Sequence, residues 1–354
     1  MVKSNKRSIL LTFDFELFLG NRSGSVEKCL LKPTLELQRI IDAHNLSTIF
    51  FVDTLYLHRL KEISLTNDTA LFDYKAIITL LQSLIDSRAT IFHHIHPHWL
   101  DAIYLEDSNE WDVSDKSRFA LVNLSDTEIE NVFFHSNQII SEIYQGKVPP
   151  AFSGFRAGGL YAQPFEKYKN QFEKYSIKVD FSVLKNSKSS GENGVYSFDY
   201  SKVPSENIYP FTNDVIEKDE NGTFIEIRMN QFKLQGISKV INGLYYRRHY
   251  KTEAWQRWGD GKASGNVLKS TKKTNRWVSE ETYSIELLNK YKASLYLKKL
   301  KKEDFLHIIS HPKLFSPANI QAFDKFIKKV KRKYNVETDV FTVLKNVGIK
   351  GNKL

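Results

Sequence analysis

Only one cysteine, Cys29, occurs in 354 residues, so no internal disulfide can form and a disulfide-stapled secreted scaffold is excluded. With no second thiol and no obvious base beside it, Cys29 reads as an unreactive thiol. No stretch approaches the roughly 18 uncharged residues that a membrane span needs. The basic start Met1–Arg7 is followed only by Ile9, Leu10 and Leu11 before Thr12-Phe13-Asp14. That apolar run is too short for the core of a secretory signal, and no small-residue cleavage site follows it. A soluble cytoplasmic protein is the default expectation. Also missing are an internal repeat of fixed period, a G-x-G-x-x-G dinucleotide fingerprint and any DNA- or RNA-binding motif. Nucleic acid is therefore not an expected partner.

What the chain does have is ordinary globular composition, 41% hydrophobic and 26% charged, with a formal charge of +10. An excess of that sign suits nucleic acid, for which no motif is present, an anionic small substrate or an acidic membrane surface. Much of it is local: nine Lys/Arg stand between Tyr245 and Val278 against Glu253 and Asp260. The runs Lys298–Lys302 and Lys328–Lys333 fall on helix-like patterns and read as solvated faces.

Seven short runs dense in Ile, Val, Phe and Leu read as buried strands: Ser8–Phe15, Leu46–Val52, Ala89–Ile95, Phe152–Arg156, Ile177–Val183, Thr223–Met229 and Phe305–Ser310. Amphipathic helices lie between several of them. Lys32-Pro33 opens one, and Ser125-Asp126-Thr127-Glu128 is a capping-box pattern closed downstream by Gly146. Ser316-Pro317 starts another, with Ile320, Phe323, Ile327, Val330 and Tyr334 on one face. Strands alternating with helices predict parallel strands joined by crossovers. Polar residues at the strands' C-terminal ends favour a barrel, because active sites gather on that face. The expectation is one α/β barrel domain over 1–354. Asn186–Asn193 and the basic, Trp-bearing stretch Tyr245–Val278 are read as long excursions.

Five polar outposts carry the chemistry. In Thr12-Phe13-Asp14-Phe15-Glu16, strand alternation puts both carboxylates on one face and both phenylalanines on the other. Buried acids so placed must be paired, protonated or bound to a cation. In the run His93–Trp99, four of the ten histidines fall within six positions, and imidazole is the commonest metal ligand. A turn after the strand brings His94 and His98 onto one ion; a chain that stays extended lines up His94, His96 and His98 instead. Pro97 breaks regular pairing thereabouts, and His93 points away, as a packed or capping residue. A histidine cluster joined by a carboxylate matches a site for zinc or another divalent ion. Ser153–Tyr161 follows, where Gly158 and Gly159 permit close backbone approach and Arg156 can hold a carboxylate. Asp180 and His311 end two further strands.

In their order and residues these elements resemble the polysaccharide deacetylase family, metal-dependent carbohydrate esterases. The resemblance runs from Thr12 to His311, through a TFD motif, a paired-His motif, an F-R-x-G-type motif, an internal Asp and a late His. It is closest to the branch found among lipopolysaccharide and capsule biosynthesis proteins, with F-D-x-E, H-x-H-P-H-W and F-R-A-G-G. The resemblance implies a distorted seven-stranded (β/α) barrel. It also implies a hydrolase that removes an N-acetyl or similar acyl group from a sugar of a surface-polysaccharide precursor. By the same carry-over Asp14 is the catalytic base, Arg156 orients it, His311 is the general acid and Asp180 tunes His311. His94 and His98 are metal ligands, to a divalent ion with zinc the first candidate. The family's metal-binding Asp directly follows the base, and Phe15 stands there instead. Glu16 is taken as the third ligand, with His96 in reserve. Trp255, Trp258 and Trp277 among basic residues suit an anionic or lipid-linked carbohydrate and a peripheral place at a membrane. Two rival readings are a glycoside hydrolase using Asp14 and a second carboxylate, and a non-catalytic glycan-binding protein that keeps the scaffold.

Overall fold

The computed structural model describes residues 6–20, 22–190, 197–249, 251–262 and 278–349. All seven runs form strands: β1 (Lys6–Phe15), β2 (Thr48–Asp53), β3 (Ala89–Ile95), β4 (Ser153–Ala157), β5 (Ile177–Asp180), β6 (Phe224–Ile227) and β7 (Phe305–Ser310). They pair in parallel and in chain order from β1 to β6, and β7 returns to the other side of β1. Around them run α1 (Lys32–Ala43), α2 (Thr54–Ile63), α3 (Asp68–Asp86), α4 (Asp126–Ile143), α5 (Lys169–Lys174), α6 (Ile237–His249), α7 (Lys290–Lys302), α8 (Pro317–Lys331) and α9 (Val340–Asn346).

The helix starts follow their caps. Ser125 accepts from the Glu128 N–H while Glu128 accepts from the Ser125 N–H, a complete capping box for α4. Ser316 caps α8, with Pro317 in its first turn.

Among the described residues the strands are not closed into a barrel by a ladder. Among the described residues no ladder joins β6 to β7; β6 pairs on its far side with the antiparallel strand Ile208–Phe211. The seam is bridged by side chains instead: the His307 N–H donates to Asn230 Oδ1 at 2.8 Å, and His307 Nδ1 lies 3.2 Å from the Arg228 carbonyl.

Strand alternation splits the core into two buried clusters. Ile9, Leu11, Phe13 and Phe15 of β1 belong to the larger one, with the residues of α1 to α4 that cover the sheet. Leu10, Ile49, Phe51, Phe92, Val179, Phe181, Ile225 and Phe305 form the smaller, inner one, plugged by Val340, Val343 and Leu344 of α9. Continuing along the inner face of β1 past Leu10 come Thr12, Asp14 and Glu16, all buried. The interior thus changes from apolar at the N-terminal ends of the strands to polar at their C-terminal ends.

The stretch Tyr245–Val278 is less of a loop than its composition suggests. α6 occupies its start, and Gln231–Gln235 pairs antiparallel with Val278–Thr282 to frame it. Residues 256–262 then cross the mouth: the Trp258 N–H donates to the Phe315 carbonyl, and the Lys262 N–H to that of Arg22. A Cβ on Gly259 would stand 2.2 Å from the Lys313 carbonyl, so only glycine fits that crossing. Lys269, Lys272, Lys273, Arg276 and Trp277 lie outside the described residues, as do 191–193 of the Asn186–Asn193 stretch. Lys188–Ser190 of that stretch pairs with Ser197–Asp199.

His93 faces the helices, where its Nδ1 meets Ser136 Oγ at 2.8 Å; Ser136 also bonds Thr54, which donates to the His94 carbonyl. Burial pulls the His93 pKa down to about 4, from an ordinary value of 6.5. Between those values the unfolded chain binds the proton that the folded chain refuses, so stability rises with pH across this window. Lowering the pH from 6.5 to 4 should therefore depress the melting temperature, and His93→Gln should flatten that slope. An unchanged slope in the variant would contradict the assignment.

Candidate metal centre and active site

β1 delivers Asp14 and Glu16 to the C-terminal mouth, and β3 delivers His94 opposite them. The chain stays extended one residue past β3: His96 has φ −111° and ψ 96° before Pro97–Asp101 turns into a short 3-10 helix. Alternate residues of extended chain share a face, so His94 and His96 both point inward. Glu16 Oε2 lies 2.8 Å from His96 Nε2 and 3.3 Å from His94 Nε2, and the two nitrogens are 3.0 Å apart. One ligand atom from each of Glu16, His94 and His96 lies within 4.8 Å of the others, and all three residues are buried.

The donor set fits a divalent cation. His94 Nδ1 lies 2.7 Å from the Arg156 carbonyl, an acceptor only, so Nδ1 carries a proton and Nε2 is the nitrogen turned to the cluster, where a cation would replace its proton. Glu16 Oε2 is buried and accepts no hydrogen bond despite its two imidazole neighbours. Burial opposes a charge on His94, yet Glu16 and Asp14 outweigh it and raise its pKa to about 9. The cluster attracts positive charge, whether a proton or a metal ion. Glycine is required beside it: a Cβ on Gly158 would stand 2.7 Å from His96 Nδ1 and 2.6 Å from the Ile95 carbonyl.

Expected as a ligand, His98 is not in this group. The 3-10 turn that begins at Pro97 carries it away from the inner face, where its ring stacks on Phe119 at 6.0 Å. Neither of its ring nitrogens has a partner, and burial and His96 push its pKa well below the ordinary value.

Asp14 stands next to the triad. Arg156, fully buried, ion-pairs with its Oδ1, and also donates to Thr12 Oγ1 (3.0 Å) and the Phe181 carbonyl (3.3 Å). Its guanidinium lies 4.1 Å from the centre of the Phe51 ring, at the boundary with the apolar inner core. Burial disfavours the Asp14 charge, but Arg156, His94 and His311 hold its pKa below the usual carboxylate range. The free oxygen, Oδ2, is 3.4 Å from His311 Nε2. His311 keeps 28% of its side chain exposed, the most accessible of these groups.

Asp180 does not reach His311. Val179 and Phe181 face the inner cluster, so alternation turns Asp180 outward. There Ser182 donates to it twice, at 2.9 and 3.0 Å, and Glu226 is its buried neighbour. The acid that meets His311 is Glu286, 3.2 Å from Nδ1. Burial lowers the His311 pKa, but Glu286 and Asp14 outweigh it and raise the pKa above the ordinary value. A second unforeseen residue, Lys313, donates to Glu16 Oε1 (2.8 Å) and to the Leu17 carbonyl (2.7 Å). Against the desolvation cost, Lys313 and the imidazoles keep Glu16 ionised. Neither residue had a sequence signal: Glu286 lies in a connection, and Lys313 is one lysine among many.

No protein-family model matches the chain, and no curated protein matches it. Among solved structures it is similar to a protein described as a polysaccharide deacetylase from Mycobacterium smegmatis, at 12% identity over 97% of this chain and 90% of that one, with a TM-score of 0.49. It is similar also to a family 4 carbohydrate esterase from Streptomyces lividans in complex with acetate, at 14% identity over 49% and 62%, TM-score 0.29. A 4-alpha-glucanotransferase from Thermococcus litoralis matches at 12% identity over 96% and 38%, TM-score 0.43.

Glu286→Gln removes the charge from His311 and leaves Asp14 in place. The His311 pKa, read by NMR titration of the ring, should fall by about one unit. An unshifted titration would contradict the pairing.

Proposed function

We propose that this protein is a metal-dependent hydrolase that removes an N-acetyl or similar acyl group from a carbohydrate. The convergence of Glu16, His94 and His96 beside an ionised Asp14 carries this reading. The motif resemblance of the sequence and the deacetylases and esterases among the structural neighbours agree with it. A divalent ion held by those three residues, zinc being the first candidate for a nitrogen- and oxygen-donor set, would polarise the acyl carbonyl and lower the pKa of a water.

The chain's own groups supply the proton transfers. Arg156 fixes Asp14 by Oδ1 and keeps it ionised, so Oδ2 is the proton acceptor for the attacking water. His311, its pKa raised by Glu286 on Nδ1 and by Asp14, presents Nε2–H to the departing nitrogen. A carbon–oxygen bond forms, the carbon–nitrogen bond breaks, and acetate and a free amine leave. Lys313 holds Glu16 in place from the opposite side and balances its charge.

A surface-polysaccharide precursor with an anionic or lipid-linked character is the substrate proposed, on the strength of the +10 charge and the basic residues and tryptophans between Tyr245 and Val278. Two-carboxylate glycoside hydrolysis fits less well. Glu16 is committed to Lys313 and the imidazoles, so it is poorly placed to serve as the second acid beside Asp14.

Purified protein should hold about one divalent ion and release acetate from an N-acetylated oligosaccharide, and a chelator should abolish that release. Glu16→Gln and His96→Ala should each cost more than about a hundredfold in activity and metal affinity, whereas His98→Ala keeps the ion. Undiminished turnover after chelation, or in His96→Ala, would contradict the proposal.

A further inference from the structure

α6 is built inside out. Ile237, Val240, Ile241 and Leu244 recur at the i, i+3, i+4, i+7 spacing of one helix face, and they are 78%, 51%, 44% and 59% exposed. The side turned to the protein is polar and aromatic. Asn242 is its buried residue, accepting from Asn289 Nδ2 at 3.1 Å, and the Tyr246 hydroxyl donates to the Leu287 carbonyl. A helix in water buries its apolar stripe, so a stripe held outward by polar contacts on the inner side is shaped for another medium. Other exposed large apolar residues, such as Leu65, Phe72 and Val148, are scattered over different elements.

The surroundings say which medium. The stripe runs into Arg247 and Arg248, both exposed, with Lys251 beyond them. One turn after Ile241, Tyr245 enters the wall of a groove of about 700 Å³ with Trp255, Lys290, Lys325, Lys329 and Arg332. Among the described residues no carboxylate lines that groove. Apolar side chains at one end, Tyr and Trp beside them and cations at the other end are the sequence of environments met on entering an anionic lipid leaflet. A second copy of this chain is the poorer occupant. It would bring Arg247, Arg248 and a net charge of +10 against themselves.

We infer that α6 docks this protein on an anionic lipid bilayer, with Ile237, Val240, Ile241 and Leu244 entering the acyl boundary and the cations of the adjoining groove taking lipid phosphates. This inference stands on α6 and the groove beside it and is independent of the reaction at the mouth.

Co-sedimentation with phosphatidylcholine vesicles containing about one third phosphatidylglycerol tests it. The intact chain should bind these vesicles, bind pure phosphatidylcholine vesicles far more weakly, and release as salt rises. Ile241→Asp with Leu244→Asp should weaken binding at least about tenfold, since each apolar side chain buried is worth that much or more. Those positions are exposed, so circular dichroism should be unchanged, and hydrolysis of a soluble substrate should persist. Equal binding by the double variant would overturn the inference, as would no binding by the intact chain. So would a dimer in solution that the same substitutions dissociate, because a second copy would then be what covers the stripe.

Discussion

The ion pair between Arg156 and Asp14 is the constraint on which the rest of the site depends. A guanidinium with no solvent exposure survives only if every direction is answered. Here the answers come from Asp14, the Thr12 hydroxyl, the Phe181 carbonyl and the face of Phe51. Removing one partner of such a pair leaves a buried charge uncompensated, at a cost of about 3–5 kcal/mol. The same residue's main-chain carbonyl takes the His94 Nδ1–H and so aims Nε2 at the cluster. Side chain and backbone of Arg156 thus fix the proton acceptor and one metal-facing nitrogen together.

The polar layer is tolerated because the strands around it are anchored elsewhere. Below Arg156 the inner face is packed with Phe51, Phe92, Phe181 and their neighbours and closed by α9, while the outer faces of the strands lie under helices. Charge is confined to the strand ends, where each group has a counter-charge: Asp14 with Arg156, Glu16 with Lys313, His311 with Glu286. Of these, His311 is the one that reaches solvent. That suits a group that meets substrate, whereas the buried members set its surroundings.

What could be read in the sequence was what local periodicity encodes. All seven strands and the starts of α4 and α8 announce themselves through apolar runs, caps and proline, whereas the helical turn before α1 begins at Glu27, ahead of Lys32-Pro33. The shared face of Asp14 and Glu16 follows from a period of two. The choice between His96 and His98 turned on where extended chain ends, and the strand's geometry persists through His96 before Pro97 imposes the turn. Asp180 was misplaced because an acid at a strand end can face either way, and Val179 and Phe181 claim the inner side. Glu286 and Lys313 come to the site from connections, meeting His311 and Glu16 across 25 and 297 positions of chain. No pattern in the neighbouring residues foretells such contacts. The inverted face of α6 is similar: a stripe at helical spacing predicts burial, and only the surrounding packing shows which side was left outside.

The proposed cation site is made by Glu16, His94 and His96, with His98 standing apart from it. Anomalous scattering from crystals grown with zinc tests this directly. A single strong peak is expected within coordination distance of Glu16 Oε2 and the Nε2 atoms of His94 and His96. A peak bound instead by His94 and His98, or none at these residues, would contradict it.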